Sequence, residues 1–541
     1  MLQRFSRTLS SNQVIALFSL YAMLVFNIGY WQHTYHLAGH DWLLLATMPL
    51  FIVAAMNFVV QLLFWPKLHR LVMPLLLLVS AGASYAVMVQ GVYFNGDQIN
   101  NILQTDATEA SAWLSVKFIG WLLLTGVLPA LWYVFFVTIK PQTLWRGLWR
   151  RILSVLASLL LIGALAGVAY SDYASFFRNH KGIQYQITPT NILGSSIKVA
   201  YDAYDARRPF EKIGEDAKRL TSQGARKKVL VLVVGETTRA QNWGLNPGAP
   251  ETTPQLAQTD GVINYPDVRS CGTATNISLP CMFSRLDRQD YSARVAKHQE
   301  NLLDVLKRVG LYTSWRENDG GSKGVADRIK HVEMSQILAD AAARCKGNLC
   351  YDTTLLDGLR EEIRAMPVDG LIVLHTNGSH GPAYFERYPP ELRRFSPTCD
   401  TNQIQDCPQE ALVNTYNNTI VAIDDMLART IKLLNEEADS DTALLYLSDH
   451  GESLGENGLY LHATPYAVAP EQQTHIPMIF WASEGFYRTQ GLDHSCLQQH
   501  AAQAYSHDNL FHSLLGILNV GTREYQAPKD LFAPCRRSMA G

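Results

Sequence analysis

Asp449 and His450 stand at the end of an unbroken run, Leu444-Leu445-Tyr446-Leu447-Ser448, and are followed by Gly451, Glu452 and, further on, His462. A second run, Val229 to Val234, ends in Gly235, Glu236 and Thr237. A third, Gly370 to Leu374, ends in His375 and continues into Ser379-His380-Gly381-Pro382. Carboxylates and imidazoles at several such ends suggest one metal centre, and this donor set suits zinc. Glu236, Asp449 and His450 are the first candidate ligands. His380, Glu452 and His462 form an outer set, although a lone histidine is more often structural than ligating.

A nucleophile is expected between the two carboxylate-bearing runs. Ser270-Cys271-Gly272-Thr273-Ala274-Thr275-Asn276-Ile277-Ser278-Leu279-Pro280-Cys281 is rich in hydroxyls, and Thr275 is placed to open a short helix. A helix N-terminus favours phosphate, because its unpaired N–H groups and its dipole both meet the anion. A hydroxyl is a poor nucleophile near neutral pH until a metal lowers its pKa. The plainer reading makes Thr273, Thr275 and Ser278 ordinary caps. Asp319-Gly320-Gly321-Ser322-Lys323-Gly324 is a polar loop, in which Lys323 either meets a phosphate oxygen or belongs to a solvated turn. Residue chemistry alone favours the turn.

The elements that must position these groups are buried strands, each delivering polar residues at its carboxyl end, where sites lie in open α/β sheets. Helical segments alternate with them, at Gln299–Val309, Leu355–Met366, Ala411–Glu437 and His507–Leu518. This alternation predicts a mostly parallel sheet covered on both faces.

The first third of the 541-residue chain is far more apolar than the rest. Five segments are long enough to cross a bilayer, at about 20 residues each: near Val14–Trp31, Trp42–Trp65, Leu71–Phe94, Trp113–Ile139 and Ile152–Tyr170. Arg4 and Arg7, then Lys67 and Arg70, then Lys140, Arg146, Arg150 and Arg151 mark one side. Gln32–Asp41 and Asn95–Ala112 carry no Lys or Arg. The positive-inside rule then puts the N-terminus in the cytoplasm and everything after the fifth span outside. Ser175-Phe176-Phe177-Arg178 and Tyr201–Tyr204 are aromatic enough to lie along the bilayer surface, and Thr188-Pro189-Thr190-Asn191 reads as a helix start. The boundaries are a membrane domain over 1–171, a linker with interfacial helices over 172–228 and an α/β domain over 229–541.

All eight cysteines follow residue 270. Close pairs and a distant last pair suggest Cys271–Cys281, Cys345–Cys350, Cys399–Cys407 and Cys496–Cys535, although connectivity is not fixed by sequence. Disulfides agree with an extracytoplasmic side. A net charge of -2 gives no electrostatic case for a nucleic-acid partner.

Several motifs stand in order: Val233-Val234-Gly235-Glu236-Thr237, Cys271-Gly272-Thr273-Ala274-Thr275, Pro280-Cys281-Met282-Phe283-Ser284, His380-Gly381-Pro382, and Ser448 through Gly458. Together they resemble the lipid A phosphoethanolamine transferases, a family that includes the mobile colistin-resistance enzymes, and most resemble its enterobacterial chromosomal type. The resemblance implies a five-span α-helical transmembrane domain followed by a periplasmic α/β domain of alkaline phosphatase/sulfatase-like fold. It makes Thr275 the nucleophile, and Glu236, Thr275, Asp449 and His450 the ligands of one tightly bound zinc, with a second zinc possible during turnover. Lys323, His380, Glu452 and His462 become phosphoethanolamine-binding or second-metal residues. Asp319 stands where some members have Asn, and Asn101 and Glu109 match outer-loop residues that hold the lipid. The implied donor is phosphatidylethanolamine and the acceptor a lipid A phosphate, in the bacterial inner membrane, with the protein expected to be a monomer. The alternatives are a glycerophosphate-type lipid-linked transferase, a membrane-anchored phosphatase or sulfatase, and a non-catalytic lipid sensor.

Overall fold

The strand Lys227–Gly235 is apolar at nearly every position and buried along almost its whole length, so neither of its faces meets solvent. Successive side chains point to opposite faces. Val229, Val231 and Val233 pack on one side with Trp243, Tyr416, Ile420 and Leu444. Leu230, Leu232 and Val234 pack on the other with Leu302, Leu306, Leu514 and Ile517. These two cores sandwich the sheet. The computed structural model describes residues 7–39, 41–104, 115–220, 226–338, 344–346 and 349–537. It divides into two compact units, Met1–Arg208 and Pro209–Gly541.

In the second unit the sheet strands, in chain order, are β1 (Lys227–Gly235), β2 (Ile263–Arg269), β3 (Tyr312–Glu317), β4 (Lys330–Glu333), β5 (Gly370–His375), β6 (Ser440–Ser448), β7 (His475–Ala482) and β8 (Tyr505–Ser506). Their order across the sheet is β8-β2-β7-β6-β1-β5-β3-β4. From β6 to β4 every pairing is parallel, while β7 runs antiparallel to both its neighbours. The register sets Ser448 opposite Gly235, and His375 opposite Val234. The carboxyl ends of β6, β1 and β5 therefore finish side by side.

The long helix is Gln409–Asn435, two residues ahead of the expected span at each end. The expected Gln299–Val309 helix is Leu302–Arg308, started by Asn301 in a reciprocal cap with Asp304. Leu355–Met366 divides into a short turn, Asp352–Leu356, and a helix, Leu359–Ala365, because Gly358 between them is left-handed at φ 71°. All four expected cysteine pairs are disulfide-bonded.

Among the described residues the first unit has four helices long and apolar enough to cross a membrane: Trp42–Leu63, His69–Val89, Val116–Phe136 and Leu144–Val168. The last buries only Ser158 and leaves Leu153, Leu156 and Leu160 exposed, apolar surface suited to lipid. It starts eight residues before the expected Ile152, so Arg146, Arg150 and Arg151 are helical. Arg151 donates to the Gln61 and Phe64 carbonyls at the end of Trp42–Leu63, and its guanidinium lies 4.7 Å from the Trp65 ring centre. A cation at a helix C-terminus offsets the dipole there.

The expected span near Val14–Trp31 consists of two helices, Ser11–Phe26 and Ile28–Ala38, bent by 64°, which together are long and apolar enough to form a fifth, broken span or a re-entrant loop. Buried Asn27 sits at the break. It donates to Ala22 O (2.8 Å) and Thr188 O (2.7 Å) and accepts from Thr188 N (2.9 Å), polar needs that a continuous helix would not meet. Thr190–Asp205 is helical from the expected start. Phe176 is packed inside this unit rather than lying along a surface, because it joins a core with Tyr173 and Ile183, whereas Tyr201 and Tyr204 are exposed. Asn101 falls in a helix, Gly96–Gln104. Glu109 lies outside the described residues.

Candidate active site

Glu236 leaves β1 as Asp449 and His450 leave β6, and all three are fully buried. Ligand atoms of the three lie within 4.8 Å of one another. His450 Nε2 is 3.3 Å from Asp449 Oδ2 and 3.6 Å from Glu236 Oε1. His450 Nδ1 meets the Gly451 carbonyl at 2.9 Å, which places the proton there and leaves the Nε2 lone pair facing the carboxylates. The Thr237 and His450 backbone N–H groups donate to Asp449 Oδ1 at 3.1 and 2.7 Å. Thr237 makes this contact from φ 54°, a costly conformation for a β-branched residue and one that marks a constrained site.

Thr275 opens the helix Thr275–Met282, and its side chain does not cap that helix. Its hydroxyl donates to Glu236 Oε2 and Oε1 at 3.0 and 3.2 Å, and lies 3.4 Å from His450 Nε2. Thr273 and Ser278 hold the loop: Thr273 Oγ1 donates to Thr464 O at 2.6 Å, and Ser278 Oγ donates to the Asp449 carbonyl. Capping therefore does not account for these three hydroxyls.

The donor set fits a divalent cation. Burial pushes the Glu236 carboxyl well above its ordinary value, and the Asp449 and Asp319 carboxylates beside it push the same way. Asp449 Oδ2 is buried without a hydrogen-bond donor. Carboxylates crowded in a buried site stay ionised only if positive charge is supplied. Zinc takes such carboxylate and imidazole ligands.

The outer set also converges. Ligand atoms of Glu236, His380 and His462 lie within 4.8 Å of one another. The His462 ring centre is 4.5 Å from that of His450 and 5.7 Å from that of His380. Buried Glu452 meets His462 Nδ1 at 3.1 Å, a carboxylate that orients the ring. Lys323 donates to Gly320 O at 2.5 Å and sits 3.8 Å from Asp319 Oδ2. It lines a cleft of about 280 Å³ together with Asn276, the neighbour of Thr275. Its φ of 52° is unusual for lysine, which argues against a relaxed solvated turn.

Three supporting residues carried no usable sequence signal. Glu317 ends β3, whose mixed run Tyr312-Thr313-Ser314-Trp315-Arg316 does not read as a buried strand. Asp352 accepts the Asn377 and Gly378 backbone N–H groups at 2.8 and 2.9 Å. His507 accepts from Cys271 N at 3.0 Å and donates from Nε2 to Ser448 O at 2.9 Å, tying the Thr275 loop to the end of β6.

Burial pushes His507 down from about 6.5 to about 3. Between these values the unfolded chain holds the extra proton, so stability falls as pH falls from about 6.5 toward 3. The slope from this residue is at most about 1.4 kcal/mol per pH unit. Thermal unfolding from pH 7.5 to 4.5 should show this decline, and His507→Gln should flatten it. An unchanged slope in the variant would assign the acid loss elsewhere.

Gly378 has φ 52°, and a Cβ there would stand 2.5 Å from Glu236 O and 2.9 Å from Glu236 N. Gly378→Ala should cost roughly 1–3 kcal/mol through strain and should slow the reaction by displacing Glu236. Denaturant midpoints and initial rates measure the two effects, and a variant equal to wild type in both would remove this contact as a constraint.

Cys271–Cys281 closes the segment that carries Thr275, with a sequence separation of 10. Replacing both cysteines by serine should cost roughly 2–4 kcal/mol. It should also lower activity more than the same change at Cys399 and Cys407, whose separation of 8 spans none of the proposed ligands. Equal activity losses in the two double variants would count against a positioning role for this bridge.

An α/β unit whose parallel strands bring a metal donor set to a hydroxyl at a helix N-terminus defines a sulfatase-like enzyme, and the family model described as Sulfatase matches residues 228–520. Residues 52–204 match the model described as Phosphoethanolamine transferase EptA/EptB. The chain is 42% identical over 557 residues to the phosphoethanolamine transferase EptA of Escherichia coli, covering 99% of this chain and 100% of that protein. It is 41% identical over 424 residues to the phosphatidylethanolamine transferase Mcr-1 of Escherichia coli, covering 76% and 78%. Among solved structures it is similar to the integral membrane lipooligosaccharide phosphoethanolamine transferase A (EptA) of Neisseria meningitidis, with a TM-score of 0.66 and 40% identity over 98% of this chain and 100% of that one. The chain belongs to the phosphoethanolamine transferase family.

Proposed function

We propose that this enzyme moves phosphoethanolamine from phosphatidylethanolamine to a phosphate of lipid A through a covalent adduct on Thr275. The observation that carries the reading is the Thr275 hydroxyl, 3.0 Å from Glu236 and at the start of a helix, in a chain that matches phosphoethanolamine transferases along its full length.

Thr275 Oγ1 attacks the donor phosphorus, and its proton, directed at Glu236 in the resting geometry, passes by way of that carboxylate to the departing diacylglycerol oxygen. The bond from phosphorus to the diacylglycerol oxygen breaks, and that oxygen takes up a proton as diacylglycerol departs. A lipid A phosphate oxygen then attacks the phosphorus, the bond to Thr275 breaks, and Thr275 Oγ1 takes up the proton that the attacking phosphate gives up, which restores the hydroxyl. Glu236, Thr275, Asp449 and His450 would hold one zinc ion, which when bound lowers the hydroxyl pKa and offsets charge on the phosphoryl oxygens. Lys323 and the N–H groups opening Thr275–Met282 stabilise negative charge from the other side. His380, His462 and Glu452 bind the phosphoethanolamine group or a second zinc.

Within this reading residues 1–171 anchor a monomer in the inner membrane, with the N-terminus in the cytoplasm. Residues 172–228 form the linker, and residues 229–541 work in the periplasm. Both substrates are lipids held at one surface, which suits an anchored enzyme. Asn101 and Glu109 contribute to holding the lipid. An added ethanolamine amine lowers the negative charge of lipid A and so weakens its attraction for cationic peptides such as polymyxin. Mass spectrometry of lipid A from cells expressing the chain tests this. A phosphoethanolamine mass addition is expected; a glycerophosphate addition, or loss of phosphate, would assign a different reaction.

A further inference from the structure

His375 ends β5 and has no part in the transfer proposed above. Its side chain is fully buried, and Nδ1 faces both oxygens of the buried Glu317 carboxylate at 3.0 and 2.9 Å. Glu317 is itself fixed by the Trp315 indole N–H at 2.8 Å and by the Asp319 backbone N–H at 2.6 Å. The other ring nitrogen, Nε2, is buried and has no hydrogen-bond partner. An imidazole whose Nδ1 is bound to a carboxylate while Nε2 stays open has the arrangement of a metal ligand oriented by an outer partner. Left without a ligand, such a nitrogen is an uncompensated buried polar atom.

The surroundings supply the rest of a donor set. Ligand atoms of His375, Asp319 and Glu236 all lie within 4.8 Å of one another. Only Glu236 is shared with the group Glu236, Asp449 and His450, and only Glu236 with the group Glu236, His380 and His462. A carboxylate has two oxygens and can serve two cations. Lys323, 3.8 Å from Asp319, supplies positive charge to that carboxylate.

We infer that Glu236, Asp319 and His375 form a further divalent-cation site, with Glu317 as the positioning residue for His375 and Glu236 as the bridge to the proposed zinc centre. Two carboxylates and one imidazole suit zinc or manganese. The bridging role rests on the reading of Glu236 as a zinc ligand; the donor set of Asp319 and His375 does not.

The test is metal stoichiometry. Full-length protein in detergent is stripped with chelator, loaded with Zn2+ and desalted, and bound zinc per chain is read by native mass spectrometry. His375→Ala and Asp319→Ala are each expected to hold one equivalent fewer than wild type. Whatever His380→Ala holds, His375→Ala/His380→Ala is expected to hold one equivalent fewer, and His450→Ala is expected to lose a different one, so that His375→Ala/His450→Ala loses two. If His375→Ala does not fold, Asp319→Ala carries the comparison. Wild-type stoichiometry in Asp319→Ala, or in a folded His375→Ala, overturns the inference while leaving the zinc centre standing. Wild-type protein that takes up no zinc overturns both.

Discussion

Thr275→Ala is expected to yield an enzyme that leaves lipid A unmodified and carries no phosphoethanolamine adduct. In the proposed transfer the residue has two roles that one change removes together. Its hydroxyl would be the nucleophile in the first step and the leaving group in the second, and it would complete the donor set with Glu236 and His450, which it contacts, and Asp449. Loss of a covalent nucleophile should cost at least about a thousandfold in rate. Stability should change little, since this hydroxyl does not cap its helix. Intact-protein and lipid A mass spectra read the two products separately. Lipid A modified at the wild-type rate by the variant would move the nucleophile elsewhere. An adduct that persists on the variant would show that another residue carries the group.

Exhaustive chelation should give a similarly large loss, and added zinc should reverse it. The Thr275 hydroxyl faces the buried Glu236 carboxylate and the His450 imidazole, with buried Asp449 grouped beside both, and burial together with like charge already raises the Glu236 carboxyl. Removing a cation from such a set leaves those charges uncompensated and the hydroxyl at its ordinary, unreactive pKa. Several kcal/mol of transition-state stabilisation correspond to roughly 10²- to 10⁴-fold in rate. Zinc that binds the folded chain and not the unfolded one also raises the melting temperature in a concentration-dependent way. Activity that survives verified removal of zinc would rule out a catalytic role for the metal, whatever the melting curves show.

Local pattern made much of this protein legible. Runs such as Val229–Val234 and Leu444–Leu447 are apolar on both faces, which only a covered central strand can satisfy, and polar residues at their carboxyl ends mark a site. Three close cysteine spacings suggested neighbour pairs and left the distant Cys496 and Cys535 for each other, and the four pairs formed accordingly. Other features were hidden because their causes are distant in sequence. Asn27 breaks the first apolar helix through a partner at Thr188, 161 residues away. Glu317 looks like the end of an ordinary polar stretch until His375, 58 residues on, is set beside it in the sheet. His507 is one histidine among 16 until folding places it between Cys271 and Ser448.

The amino-acid sequence determined which groups would be offered: acids and imidazoles at strand ends, a threonine at a helix start, and apolar helices before them. Only the tertiary structure decided which of them meet, because strand order and register come from packing between segments hundreds of residues apart. The parallel neighbours β6, β1 and β5 end in line, and that alignment turns three separate strand ends into one cluster around Glu236.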